Sequence, residues 1–113
     1  DAGPKALGFR VKQRHLNRDG VCHGGVIAAF ADIQGIILKE DIGATQKISP
    51  TINLTVDYLA PVRLGVWVHS TPVLLKSTKR LMFFCSNIYG DGQIVARMNG
   101  IYRITSSTFT TDK

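Results

Sequence analysis

The sequence predicts an α+β domain in which an antiparallel β-sheet wraps around one long central helix. Three observations carry this. The stretch 24–40, GGVIAAFADIQGIILKE, is apolar on nearly every side when wound as a helix, and such a helix is enclosed rather than laid on a surface. From residue 51 onward the apolar positions recur every second residue, the period of half-buried strands. The segments between these runs are short, which favours antiparallel neighbours.

Taken in order, Gly3 and Pro4 make an irregular lead-in. Leu7 to Lys12 is a first strand, with Phe9 and Val11 alternating against Arg10 and Lys12. HLNRDGVC at 15–22 is a loop, because Asn17, Asp19 and Gly20 tolerate or supply special backbone angles. The helix follows, about 25 Å long at 1.5 Å per residue. Lys39 suits its C-terminal dipole and Gly43 its termination. Next, Ile52, Leu54, Val56 and Tyr58 alternate with Thr51, Asn53, Thr55 and Asp57, until Pro61 breaks the run. Val66, Trp67 and Val68 start a further strand, and two more run from Leu81 to Tyr89 and from Gln93 to Ile104. Asp91-Gly92 between the last two is a hairpin signal. Lys76 to Arg80 is another hairpin connection. The last four strands are therefore expected to form a meander, and residues 1–113 a single domain.

Composition removes several function classes. At 44% hydrophobic and 19% charged residues, the chain is no solvated disordered tail. A domain of 113 residues buries its own surface only marginally, so oligomerisation would help it. The net charge of +6 favours anionic partners. Nucleic acid is not expected, since no stripe of aromatics interleaved with Lys and Arg occurs. A membrane span is not expected either. The longest apolar stretch, 26–38, is interrupted by Asp32, Gln34 and Gly35. Cys22 and Cys85 form no CxxC, and the three histidines have no metal-ligand spacing with them, so neither metal nor cofactor is expected. With no signal peptide visible, reduced thiols in a cytoplasm are the expected setting.

Asp32 is the most informative residue. Flanked by Phe30, Ala31, Ile33, Ile36 and Ile37, it either shares a thin water-facing stripe with Gln34 or is a carboxylate in a dry site, acting as nucleophile or general base. His23-Gly24-Gly25 opens the helix. The first amides there have no internal partner, and a glycine lets an oxygen approach closely. Such a turn is either an ordinary entry to a helix or a place to stabilise an oxyanion. Gly24 and Asp32 are eight residues apart, about 12 Å of rise and about 80° of rotation. One carbonyl cannot touch both. If both serve one reaction, they come from two copies of the helix, which predicts a dimer with shared sites. Asn17 is a turn residue or a donor to a substrate carbonyl or to the His23 ring. Thr51 is a plain strand residue or a hydroxyl that orients water.

HLNRDGVCHGGVIAAFAD resembles the signature of the hotdog-fold thioesterases, specifically the phenylacetic-acid-degradation-type acyl-CoA thioesterases. The shared features are Asn17, Gly20, His23-Gly24-Gly25 and an acid nine residues after the histidine. TINLTVDYLAPVRLG and GQIVARMNGIYRI resemble that family's next strand and its closing strand. The resemblance implies a helix enclosed by an antiparallel sheet, homodimers and often tetramers, and metal-free hydrolysis of acyl-CoA. By position, Asp32 attacks the thioester or activates water, and the Gly24 amide polarises the carbonyl, beside Gly25. Asn17 and His23 position substrate or water, and Thr51 orients water, with the acid and the amide of one site coming from different subunits. Pro50 directly before Thr51 leaves the register there open. Coenzyme A brings phosphates, for which Arg63, Lys76, Lys79 and Arg80 are the candidate cations, or else solvated surface.

Two other readings share the fold. A hydroxyacyl-thioester dehydratase would enlist His23 and Asp32, and hydration of crotonyl-CoA separates it from a hydrolase. A non-catalytic acyl-CoA-binding module would keep the pocket and lose the acid.

Overall fold

The period-two runs become strands, but one of them pairs with an unexpected neighbour. The computed structural model describes residues 5–108, so the lead-in expected at Gly3 and Pro4 lies outside the described residues. The strands are β1 (Leu7–Arg10), β2 (Thr51–Tyr58), β3 (Trp67–Ser70), β4 (Val73–Ser77), β5 (Leu81–Gly90) and β6 (Gln93–Arg103). They form one antiparallel sheet in the order β1-β3-β5-β6-β2, with β4 also on β5. β3 and β4 are one path interrupted at Thr71-Pro72, where proline offers no ladder donor. β4 carries no period-two signal, because its apolar residues Val73, Leu74 and Leu75 do not alternate.

The expected four-strand meander is corrected. β2 pairs with β6 rather than β3, from Tyr58 opposite Ala96 to Thr51 opposite Tyr102. Segment 59–66 is longer than a hairpin loop. It is tied instead to the stretch before the helix, where Cys22 N–H donates to the Val62 carbonyl at 2.7 Å and Val11 N–H to the Val66 carbonyl at 3.0 Å. The β5–β6 hairpin at Asp91-Gly92 forms as expected, with φ of 50° and 83° at the two turn residues.

The helix is three pieces: α1 (Gly24–Ile33), α2 (Gly35–Leu38) and a 3-10 turn (Lys39–Ile42) ended by Gly43 at φ 69°. Ile27, Phe30, Ala31, Gln34 and Leu38 are buried. The alternating Met82, Phe84 and Ile88 of β5 and Ala96, Met98 and Tyr102 of β6 are buried in the same core. Enclosure on every side is not what the single chain shows. Ile33 is 46% exposed and Ile36 57%, so the outer flank of the helix stays apolar and uncovered. Among the described residues no helix is long and apolar enough to cross a membrane.

The break at Gln34 has a physical cause. A side chain inserted into the i→i−4 ladder kinks a helix. Here the Tyr102 hydroxyl enters the ladder and donates to the Asp32 carbonyl at 2.5 Å. The Gln34 N–H bonds to the Ala31 carbonyl at 3.3 Å, three residues back rather than four. Gly35 makes room, since a Cβ there would lie 2.6 Å from the Tyr102 ring and 2.8 Å from Phe84. Gly35→Ala is accordingly expected to lower stability by about 1–3 kcal/mol, read as an earlier urea midpoint. An unchanged midpoint would show that the rings have room to move.

Candidate active site

The two halves of the expected site are built at opposite ends of α1. At its start, His23 is the N-cap, with φ −55° and ψ 137°, and its N–H donates to the His15 carbonyl at 2.8 Å. Among the described residues the Gly24 and Gly25 amides have no hydrogen-bond acceptor. They are the orphan donors of a helix N-terminus, with the dipole behind them. Tyr58 of β2 donates to the Gly24 carbonyl at 2.6 Å and so fixes this end of the helix on the sheet. Asn17, Gly24, Tyr58, Leu59 and Pro61 line a cleft of about 430 Å³ here.

Asn17 is spoken for on one side. Its Oδ1 accepts from the Asp19 N–H at 2.9 Å and the Val21 N–H at 3.2 Å, which folds the loop and leaves the amide NH₂ as the group that can face a ligand. Arg63 is bridged to Val21 through the backbone, so it belongs to this same end. Burial pushes the Cys22 thiol up from its ordinary value, which keeps it protonated and removes it as a nucleophile beside His23.

At the other end of α1, Asp32 is half-buried and Thr51 donates to its Oδ1 at 2.5 Å. A hydroxyl on a carboxylate oxygen at this length is a charge-assisted bond. The register left open by Pro50 is settled by a β-bulge between Thr51 and Asn53, which sets Thr51 opposite Tyr102. Directly opposed residues share a face, and Tyr102 reaches the helix, so Thr51 does too. Pro50 costs the ladder nothing, because it contributes only its carbonyl, to the Arg103 N–H at 2.8 Å.

The cations divide. Lys79 and Arg80 line a polar groove of about 780 Å³ with Lys47 and Arg103, beside Gly43 at the end of the helical stretch. Lys76 does not line it and sits in β4 opposite Phe83. A separate, largely apolar groove of about 390 Å³ follows the flank of α1, floored by Phe9, Val26, Ala29, Phe30 and Ile33. Among the described residues no three His, Cys, Asp or Glu side chains converge as a metal site.

Sequence reasoning missed Tyr58 and Tyr102. Burial and desolvation, then the nearby Asp32 charge, push the Tyr102 hydroxyl up to about 12, so it remains a donor at any neutral pH. The signal that could have found it is Gly35, an interior helix glycine that marks the close approach of another group.

The sequence profile of the thioesterase superfamily matches residues 19–96. An esterase-named protein of Pseudomonas aeruginosa is 23% identical over 99 residues, covering 87% of this chain and 73% of its own length. Acyl-coenzyme A thioesterase 13 of Mus musculus is 27% identical over 77 residues, covering 66% of this chain. The match spans about half the length of that relative, 53%. A Streptococcus mutans protein solved with acetyl-CoA superposes with a TM-score of 0.81 at 18% identity, over 92% of this chain and 82% of that one. The PaaI protein of the E. coli phenylacetic acid degradation operon superposes with a TM-score of 0.79 at 21% identity, over 93% and 75%. At these identities the structural likeness is one of fold, the hotdog arrangement.

Proposed function

The chain belongs to the thioesterase superfamily, a family of thioester hydrolases, and on that premise we propose that it hydrolyses an acyl-CoA thioester to the free acid and CoA, with Asp32 as the reacting carboxylate. The observation that carries this is the Thr51–Asp32 bond. It holds one carboxylate oxygen and leaves the other to attack the thioester carbon or to take a proton from water.

In the general-base form, water loses a proton to Asp32 and its oxygen bonds to the thioester carbon. The negative charge that develops on the carbonyl oxygen is met by the Gly24 amide, with Gly25 beside it. The C–S bond then breaks, and the CoA thiolate takes the proton back. In the nucleophilic form, an Asp32 oxygen bonds to the thioester carbon, the C–S bond breaks and the CoA thiolate leaves, and water then cleaves the mixed anhydride, giving its proton to the thiolate. Single turnover in H₂¹⁸O identifies an anhydride that water opens at the Asp32 carbonyl, since that route alone places label in the Asp32 carboxylate. The Asn17 amide and His23 position the carbonyl or the water, and the apolar groove along α1 takes the acyl group. Arg63, Lys79 and Arg80, with Lys76 further along β4, are the candidate partners of the CoA phosphates.

The site is completed by a homodimer. In one chain the Gly24 amide and Asp32 stand about 12 Å apart along α1. β2 is an outer strand of the sheet, and its Ile52 and Tyr58, with Leu59 just after it, are each half-exposed or more. Ile33 and Ile36 on the helix are exposed as well, and these apolar side chains are what a second copy would cover. A tetramer would repeat that unit. A cytoplasmic setting suits the free Cys22 and Cys85 thiols.

The test is thiol release from short, long and aromatic acyl-CoAs, with Asp32→Ala as control. Release that depends on Asp32 supports the reading. Hydration of crotonyl-CoA without release would replace it with a dehydratase. Thr51→Val is expected to lower kcat about tenfold or more, because it frees the carboxylate from its productive orientation, whereas Thr51→Ser should keep most of the rate. Equal kcat for both variants would remove Thr51 from the mechanism.

A further inference from the structure

Tyr102 and Thr51 are direct partners across the β2–β6 pair, and both end on Asp32. Thr51 holds the carboxylate at 2.5 Å, and Tyr102 holds the main-chain carbonyl of the same residue, also at 2.5 Å. We propose that Tyr102 is a positioning residue for thioester hydrolysis: its hydroxyl, set into the break of the helix, fixes the Asp32 backbone so that the carboxylate meets Thr51 and the reacting carbon. The proposal rests on the reading of Asp32 as the reacting carboxylate.

A carboxylate gripped only at its oxygen can still drift as its Cα moves. Gripping the backbone as well removes that freedom, and reactive geometry tolerates little drift. In an unbroken helix the Asp32 carbonyl would be held by the next turn of the same helix, which moves with it. Here it is held from the sheet. The tyrosine is itself immobilised. It is 3% exposed, and its ring meets Phe84 edge-on at 5.0 Å between centroids. Phe84 in turn fits against Gly100, where a Cβ would lie 2.5 Å from the ring. Gly35 of the helix lies against the same ring, where a Cβ would come within 2.6 Å of it. Gly100, Phe84, Tyr102 and Gly35 therefore transmit the position of the sheet to the acid. An ordinary core tyrosine would need only one acceptor. This one takes the helix bond of the residue that does the chemistry.

Tyr102→Phe keeps the ring and removes the hydroxyl. Its kcat should fall about tenfold or more while KM stays within about twofold, since a displacement of about 1 Å costs up to about 100-fold. Gly35→Ala, which pushes the ring out of the break, should reproduce the kcat loss. Ile88→Val, buried further along β5, is the matched control for lost stability and should keep kcat. Asp32→Ala is run in the same assay. If Asp32→Ala abolishes release while Tyr102→Phe keeps the wild-type kcat, the positioning role is overturned and the acid's role stands. A kcat loss in Tyr102→Phe no larger than in Ile88→Val also overturns it. Full activity in Asp32→Ala overturns both.

Discussion

Asp32→Asn is expected to lower thiol release by about 10²–10⁴-fold while leaving the fold and the urea midpoint as they are. The asparagine oxygen still accepts the Thr51 hydroxyl that now binds Oδ1 at 2.5 Å. The main-chain carbonyl still takes Tyr102. What is lost is the capacity to accept a proton or to attack carbon, so the effect falls on kcat and not on KM. This separates the enzyme from a binding module of the same fold. A module would bind acyl-CoA equally well with either residue and release no thiol with either.

Gly24→Pro is expected to lower kcat by about 10²–10³-fold, the cost of losing one oxyanion donor. The substitution is unusually clean. Proline is favoured at the first position of a helix and asks an extended conformation of the residue before it. His23 already has ψ 137°. The Gly24 amide has no acceptor among the described residues, so folding loses no hydrogen bond. Gly24→Ala keeps the amide and brings a Cβ only to 3.4 Å from Tyr58, an ordinary contact, and should keep most of the rate. Proline and alanine enzymes of equal kcat would mean that the amide does no electrostatic work.

Much of this was legible because it is local. The helix start at His23-Gly24-Gly25, the acid in its apolar run, the stop at Gly43 and the Asp91-Gly92 hairpin are all written within a few residues of where they act. The partner of β2 was not legible, because strand pairing over the distance from 58 to 96 leaves no mark in the period-two pattern. The break in the helix was not legible either. Its cause, Tyr102, lies far along the chain, and only Gly35 hinted at it. All-round apolarity signals enclosure without saying whether one chain or two supply the cover. The exposed Ile33 and Ile36 mark the part that the chain itself does not cover. Thr51 lay between these cases. Its residue type suggested the role, but the bulge that turns it toward Asp32 is a property of the β2–β6 pair.

The proposed dimer draws the amide of each site from one chain and the acid from the other. Mixed dimers of Asp32→Asn and Gly24→Pro test it most directly. Each variant alone is expected to be nearly inactive. In a heterodimer, the Gly24 of one chain and the Asp32 of the other are both intact at one of the two sites. Unfolding and refolding an equal mixture should therefore restore about one quarter of the wild-type specific activity, as random pairing in a two-fold dimer requires. No restoration, in a mixture shown to contain heterodimers, would place both groups of each site in a single chain and contradict the account.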